Sequence, residues 1–248
     1  MSDSSVGRHF EQIAPGYDRW KQKARYYYDA VKASVAEIVP SGSRVLEVGC
    51  GTGDILASLH PDDGVGIDLS PAMIDAAARK HPELRFRVQD LMDDPPEERY
   101  PYIVAVDVVE HVPDLDRCIA SMAAMLAGGG QLVVITANPG WGPILEVAER
   151  LGMKMPEGEH TWRSHAAIVS AARRSGLRER SFARSFLVPK ALPGLRALNT
   201  LPWAGGLRQR FGLIQRAVFE HGPPAQPPSE TRRPVRSSQP AHHPGEAP

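Results

Sequence analysis

The sequence predicts a doubly wound α/β domain on a mostly parallel sheet. Three observations carry that expectation. Short apolar runs alternate with segments of helical periodicity from Val45 to Thr136, the pattern of strand–helix–strand units. A glycine-rich turn, Gly49-Cys50-Gly51-Thr52-Gly53, joins the first such run to a helix. Two aspartates, Asp68 and Asp90, fall at the carboxyl ends of later strands, where open α/β sheets bind ligands.

The first strand is the buried run Val45, Leu46 and Val48, as a central parallel strand requires. Glycines at alternate positions let the turn bend sharply and approach a ligand. The spacing G-x-G-x-G differs from the G-x-G-x-x-G of dinucleotide sites. Glu47 precedes the turn and Asp54 follows it. A carboxylate in the first helical turn competes with a phosphate for the same N–H groups, so the turn suits a ligand with an amino group or other positive charge. Ile55, Leu56 and Leu59 then recur at helical spacing.

Gly64 to Ser70 reads as the second strand, with Asp68 placed to accept hydrogen bonds from both hydroxyls of a ribose. Ser70 caps the next helix and Pro71 is its first residue; Met73, Ile74 and Ala77 face inward. Leu84 to Leu91 alternates as a third strand, and Tyr102 to Val109 is the fourth with its exit. Asp116 to Leu126 is helical, ended by Gly128-Gly129-Gly130. Gln131 to Thr136 is the fifth strand, His165 to Ser175 a helix with Ser164 as its cap, Arg180 to Val188 the sixth strand, and Leu213 to Glu220 the last. Ahead of the sheet, Phe10, Ile13, Ala14, Tyr17 and Trp20 begin an amphipathic helical segment that Pro15-Gly16 is expected to interrupt.

Composition narrows the class further. The 248 residues suit one domain with extras. No apolar run reaches membrane-spanning length, and the polar start Met1-Ser2-Asp3-Ser4-Ser5 is unlike a signal peptide. Cys50 and Cys118 are the only cysteines and sit in a turn and a helix, which points to a reducing cytoplasm rather than a disulfide framework. No Cys/His cluster has zinc spacing, so no metal is expected. Net charge is zero but uneven: residues 1–150 hold 14 Lys+Arg against 23 Asp+Glu, and residues 151–221 hold 12 against 4. Such a balance disfavours nucleic acid. The basic back region suits an anionic acceptor or surface, or an ordinary solvated face.

Glu47-Val48-Gly49-Cys50-Gly51-Thr52-Gly53 resembles the first motif of the class I S-adenosylmethionine-dependent methyltransferases, small-molecule or lipid type. The resemblance implies a Rossmann-like seven-stranded sheet with an antiparallel last strand. It implies S-adenosyl-L-methionine as cofactor, a cation without phosphate, held by Glu47, Gly49, Cys50, Gly51, Thr52, Gly53, Asp68, Leu69, Met73, Asp90, Leu91 and Asp107. Asp90 would accept from the adenine amino group beside the Leu91 N–H, and Asp107 would hold the methionine end. The Asp107…Glu110-His111 segment resembles the family's segment beside the transferred methyl, which makes His111 the candidate base. The stretch Tyr17-Asp18-Arg19-Trp20 resembles the family's cofactor-covering segment, so residues 1–40 are expected to form a helical lid that includes Tyr17, Trp20 and Tyr26; simple helix packing remains an alternative for each.

Residues 41–221 would form the core, with acceptor-side insertions near 138–164 and 189–212. His160, Trp162 and Arg163 are acceptor candidates on a loop between elements. The leucines, Trp203 and arginines of 189–212 suit an acceptor cover or a peripheral membrane contact, or simple helical packing on the domain, which is the commoner use of such a stretch. Residues 222–248, dense in proline, are expected to be disordered. The implied function is methyl transfer to a small-molecule or lipid-linked acceptor. A non-catalytic S-adenosylmethionine-binding partner protein is the rival from another class, and a nicotinamide dehydrogenase is disfavoured by the turn spacing.

Overall fold

The computed structural model describes residues 5–95, 97–156, 158, 161–188 and 199–222. Seven strands form one sheet in the order β3-β2-β1-β4-β5-β7-β6. They are β1 (Arg44–Val48), β2 (Asp63–Asp68), β3 (Arg85–Val88), β4 (Tyr100–Val106), β5 (Leu126–Ala137), β6 (Leu177–Ser185) and β7 (Ile214–His221). β3, β2, β1, β4 and β5 are mutually parallel, and β7 is antiparallel to both of its neighbours. The chain leaves β1 toward β2 and β3, then returns to the other side as β4. That reversal opens a crevice at the strands' carboxyl ends.

Both faces of the sheet are covered, which is why its central strands carry few polar residues. One face packs Tyr100, Ile103, Leu132 and Phe219 against α5 (Leu115–Met125) and α7 (His165–Arg174). The other packs Val45, Val104, Val133 and Ile135 against α2 (Arg25–Ala36) and α3 (Asp54–Ser58). Short side chains on β2 make room for larger ones: a Cβ on Gly66 would lie 2.7 Å from Phe86 and 2.8 Å from the Cys50 sulfur. Ser70 caps α4 (Pro71–Lys80) by accepting the Met73 N–H, and Ser164 caps α7 through Ala167.

Three local expectations are corrected. Helix α1 (Ser5–Lys23) runs through Pro15 and Gly16, and the break to α2 falls at Ala24. An interior proline costs about 3 kcal/mol; long-range bonds offset it. Glu11 accepts from the Ser70 hydroxyl at 2.5 Å and the Ala72 N–H at 3.0 Å, and Asp18 accepts from Thr52 at 2.7 Å and Lys80 at 2.9 Å. Secondly, Gly128-Gly129-Gly130 does not close α5. Leu126 is already extended, and the glycines lie inside β5 where its register with β4 shifts between Tyr100 and Tyr102. Thirdly, the sixth strand begins at Leu177 rather than Arg180, because Gly176, at φ 77°, turns the end of α7 directly into it. The proline-rich tail from residue 223 onward lies outside the described residues, as do residues 189–198.

Candidate active site

The carboxyl ends of β1, β2 and β4 open into a cleft. The glycine turn forms its floor. Gly49, Gly51 and Gly53 have φ of 66°, 52° and 78°, a region that L side chains enter only at a cost. A Cβ at Gly49 would also lie 2.5 Å from the Val108 methyl, and one at Gly51 would lie 3.2 Å from the Tyr17 ring. The turn is closed by the Gly53 N–H donating to the Cys50 carbonyl and pinned to β2 by the Cys50 N–H donating to Ile67.

Two carboxylates stand on either side of that floor. Asp68 ends β2 with both oxygens oriented: Oδ2 accepts the Gly51 N–H and Oδ1 the Ser70 N–H, each at 2.9 Å. A carboxylate has about four lone-pair directions, so capacity remains for ligand hydroxyls. Burial raises Asp68 above the ordinary range against the pull of those N–H groups. Glu47, 1% exposed, accepts the Leu56 N–H at 3.0 Å. Burial pushes its carboxyl up to about 8, opposed first by the Lys21 ammonium.

Further round the cleft lie Leu69, Gln89, Asp90, Leu91 and Asp107. Asp90 orients its loop by accepting the Met92 N–H at 2.9 Å. Asp107 has φ 53°, one of three non-glycine residues at positive φ among those described. Its N–H donates to Ile135 at 2.9 Å, so pairing with β5 holds the strained turn. Strain of this kind collects at ligand sites. His111 lines the cleft beside Val112, with its ring edge-on to Phe10 at 5.2 Å between centroids.

Helices α1 and α2 supply the remaining wall through Val6, Phe10, Tyr17, Lys21 and Tyr28. Lys21 was not anticipated from the sequence, although it shares a helical stripe with Phe10, Ala14 and Tyr17, a polar residue on an apolar face. Its side chain is buried, with Nζ 4.7 Å from the Tyr17 centroid and 5.2 Å from that of Tyr28. Burial pushes the ammonium down, while Asp54, Glu47 and Asp18 hold it up. Met155, also unanticipated, lines the cleft. Its segment leans on α1 through the bond between His9 Nε2 and the Pro156 carbonyl, 3.0 Å long.

Other predicted residues sit outside this lining. Asp54 faces Lys80 at 2.7 Å and His81 at 3.2 Å rather than the cleft, so of the two carboxylates flanking the turn, Glu47 alone lines the cleft. Thr52 is buried and bonds Asp18; a Cβ on Gly53 would meet Phe86 at 2.7 Å; Met73 is wholly buried in the first turn of α4. Tyr26 receives a bond from Asn199 and packs against Phe186. Trp162 covers Gly142, and Arg163 donates to the carbonyls of Val109 and Val112, bracing the loop that carries His111. His160 lies outside the described residues.

Comparison with known proteins settles the lineage. A methyltransferase-domain family profile matches residues 19–181. The chain belongs to this methyltransferase-domain family. Among curated relatives, the ubiquinone biosynthesis O-methyltransferase of Bradyrhizobium sp. (strain ORS 278) is 35% identical over 133 residues, covering 49% of this chain and 52% of that protein. The protein of the same name from Coxiella burnetii (strain Dugway 5J108-111) is 30% identical over 155 residues, covering 57% and 66%. The chain therefore spans about half the length of the first curated relatives it matches. A solved Thermotoga maritima methyltransferase, described as a possible histamine N-methyltransferase, superposes with TM-score 0.68 at 18% identity over 87% of this chain and 99% of that one. The N-methyltransferase NodS of Bradyrhizobium japonicum WM9, solved with S-adenosyl-L-homocysteine, gives 0.62 at 17% over 89% and 100%. Both share the methyltransferase fold described above, with its mostly parallel seven-stranded sheet.

Proposed function

We propose that this methyltransferase domain binds S-adenosylmethionine in the cleft and transfers its methyl group to a hydroxyl of a small, lipid-linked acceptor. The observation that carries the reading is the arrangement of Glu47, Asp68, Asp90 and Asp107 round one cleft over a glycine turn, with His111 at its apolar end. The donor set fits the cofactor. Asp68, held by two backbone N–H groups, suits the ribose hydroxyls. Asp90 and Leu91 suit the adenine amino edge, and Glu47 and Asp107 the methionine ammonium. Lys21 suits the methionine carboxylate, because it is the one lysine or arginine among the lining residues.

S-adenosylmethionine supplies an electrophilic methyl on a cationic sulfur. The chain's own work is positioning, exclusion of water and movement of one proton. Phe10, Val112 and Met155 give the acceptor end an apolar lining. His111 takes the acceptor's hydroxyl proton as the oxygen attacks opposite the departing sulfur; an imidazole does this near neutral pH. α1 and α2 act as the cover, since five of their side chains wall the cleft. The names of the quinone-pathway relatives support an oxygen acceptor and an apolar body. A negatively charged acceptor draws no support from Arg163, which is committed to carbonyls.

The test is incubation of the purified chain with isotopically labelled S-adenosylmethionine and phenols bearing apolar tails of increasing length, with products read by mass spectrometry. Label on the phenolic oxygen, rising with tail length, is the expected result. Cofactor binding without transfer to any acceptor would favour a non-catalytic binding protein.

A further inference from the structure

Large apolar side chains left in water are not scattered over this molecule. Among the described residues, seven of the eight that stand exposed belong to two segments at one end of the sheet. On α6 (Gly142–Arg150) and the residue after it, Ile144, Val147 and Leu151 are 56%, 52% and 66% exposed. Their spacing of three and four places them on one helical face. Leu145 packs inward on the core, so α6 is apolar on its outer side as well. On the turn Pro202–Ala204 and α8 (Gly205–Phe211), Trp203, Leu207 and Phe211 are 67%, 45% and 51% exposed.

The two segments are joined at their base. The Trp141 indole N–H donates to the Phe211 carbonyl at 2.7 Å, and the Asn138 amide donates to Gly212 at 3.0 Å. Ala137 at the end of β5 pairs with Ile214 at the start of β7, so both helices rise from the carboxyl-end rim that also bears the cleft. Alternate residues of the chain lead from α6 toward the cleft: Leu151 and Met153 are exposed, and Met155 lines it.

Charge says what covers this face. Residues 199–213 hold Arg208 and Arg210 and no acidic residue. The Arg210 guanidinium lies over the Phe211 ring, 5.3 Å from its centroid. On the α6 side, Glu149 is met by Lys154 at 3.5 Å, and Glu146 accepts from the Trp162 indole at 3.4 Å. Exposed leucines, a tryptophan and arginines with long apolar stems are the residues that enter a lipid–water interface, and arginine beside it favours anionic headgroups.

We propose that α6 and α8 dock the protein on an anionic phospholipid bilayer, so that an acceptor with a lipid tail passes from the membrane along Leu151, Met153 and Met155 to His111. This rests on the lipid-linked acceptor proposed above.

The test is co-sedimentation of the full chain with vesicles of phosphatidylcholine alone or mixed equally with phosphatidylglycerol, with S-adenosylmethionine affinity measured by calorimetry on the same samples. The wild-type chain should partition onto the anionic vesicles at least about tenfold better than onto neutral ones. Val147→Glu with Leu207→Glu, and separately Arg210→Glu, should each lower that partition about tenfold with cofactor affinity unchanged. Failure to bind vesicles while cofactor binding is intact overturns the docking face. So does equal partition onto neutral vesicles, or a concentration-dependent dimer that the same substitutions dissolve. Vesicle binding without cofactor binding would instead sink the methyltransferase reading and leave the docking face standing.

Discussion

The Thr52 hydroxyl donates to the Asp18 carboxylate across 2.7 Å, joining the glycine turn to helix α1 from 34 residues away. Lys80 adds a second bond to the same carboxylate at 2.9 Å. The cleft wall on α1 is thus latched to the cleft floor. A neutral buried hydrogen bond contributes about 1 kcal/mol, and one to a charged group about twice that. Thr52→Val should raise the cofactor dissociation rate roughly five- to tenfold and speed amide exchange along α1, as read by stopped-flow fluorescence and hydrogen exchange. An unchanged exchange pattern in α1 would show that the latch carries no strain of closure.

Glu47 should make cofactor binding pH-dependent. Its folded carboxyl sits at about 8 because of burial, with Lys21 opposing; an unfolded Glu titrates near about 4.3. The folded state therefore holds a proton that the unfolded state has released. This contribution to stability is complete below the unfolded value and is lost as pH rises through about 8. Lys21 has the opposite sign: its ammonium is pushed down by burial, so its contribution is present above the ordinary lysine value and lost as pH falls through its lowered one. Glu47→Gln should flatten the part of the melting-temperature profile that declines toward pH 8 in the wild type. A cationic cofactor needs the ionised carboxylate, so affinity should increase up to about pH 8 with release of a proton. Calorimetry in buffers of different ionisation enthalpy reads that proton, and Glu47→Gln should abolish its release.

Gly49 tests the turn itself. Its φ is 66°, and a Cβ placed there would lie 2.5 Å from Val108. Gly49→Ala should therefore cost about 2–4 kcal/mol from backbone strain and overlap together. Pairing it with Val108→Ala should recover the overlap and leave the backbone term. Thermal melts of the single and double variants separate the two.

His111→Gln should lower kcat on a hydroxyl acceptor about 100-fold or more and leave cofactor affinity within a factor of about two. A loss confined to KM would identify His111 as a wall of the pocket beside Phe10 rather than as the base.

Much of this was legible in the sequence because it is local. The turn is announced by Gly49, Gly51 and Gly53, and the strand-end position of Asp68 follows from counting residues along an apolar run. Contacts made from a distance were not legible. Asp54 is claimed by Lys80 and His81 at the far end of α4, and α1, which continues through Pro15, is held by Glu11 and Asp18 reaching across to α4 and the turn. Lys21 was readable in principle, as the one charge on the stripe of Phe10 and Tyr17, but only the fold shows that stripe facing a cleft. Gly128 to Gly130 misled because three glycines after a helix signal a cap, whereas β4 pairs with Leu126 before them and Gln131 after them and leaves them at an irregularity within β5.

The central claim is that the cleft binds S-adenosylmethionine through Asp68. Isothermal titration of the purified chain with S-adenosylmethionine and with NADH, for the wild type and Asp68→Ala, tests it most directly. One-to-one binding of S-adenosylmethionine is expected, with a loss of about 100-fold in Asp68→Ala and no binding of NADH. Binding of NADH without S-adenosylmethionine, or equal S-adenosylmethionine affinity in both proteins, would contradict it.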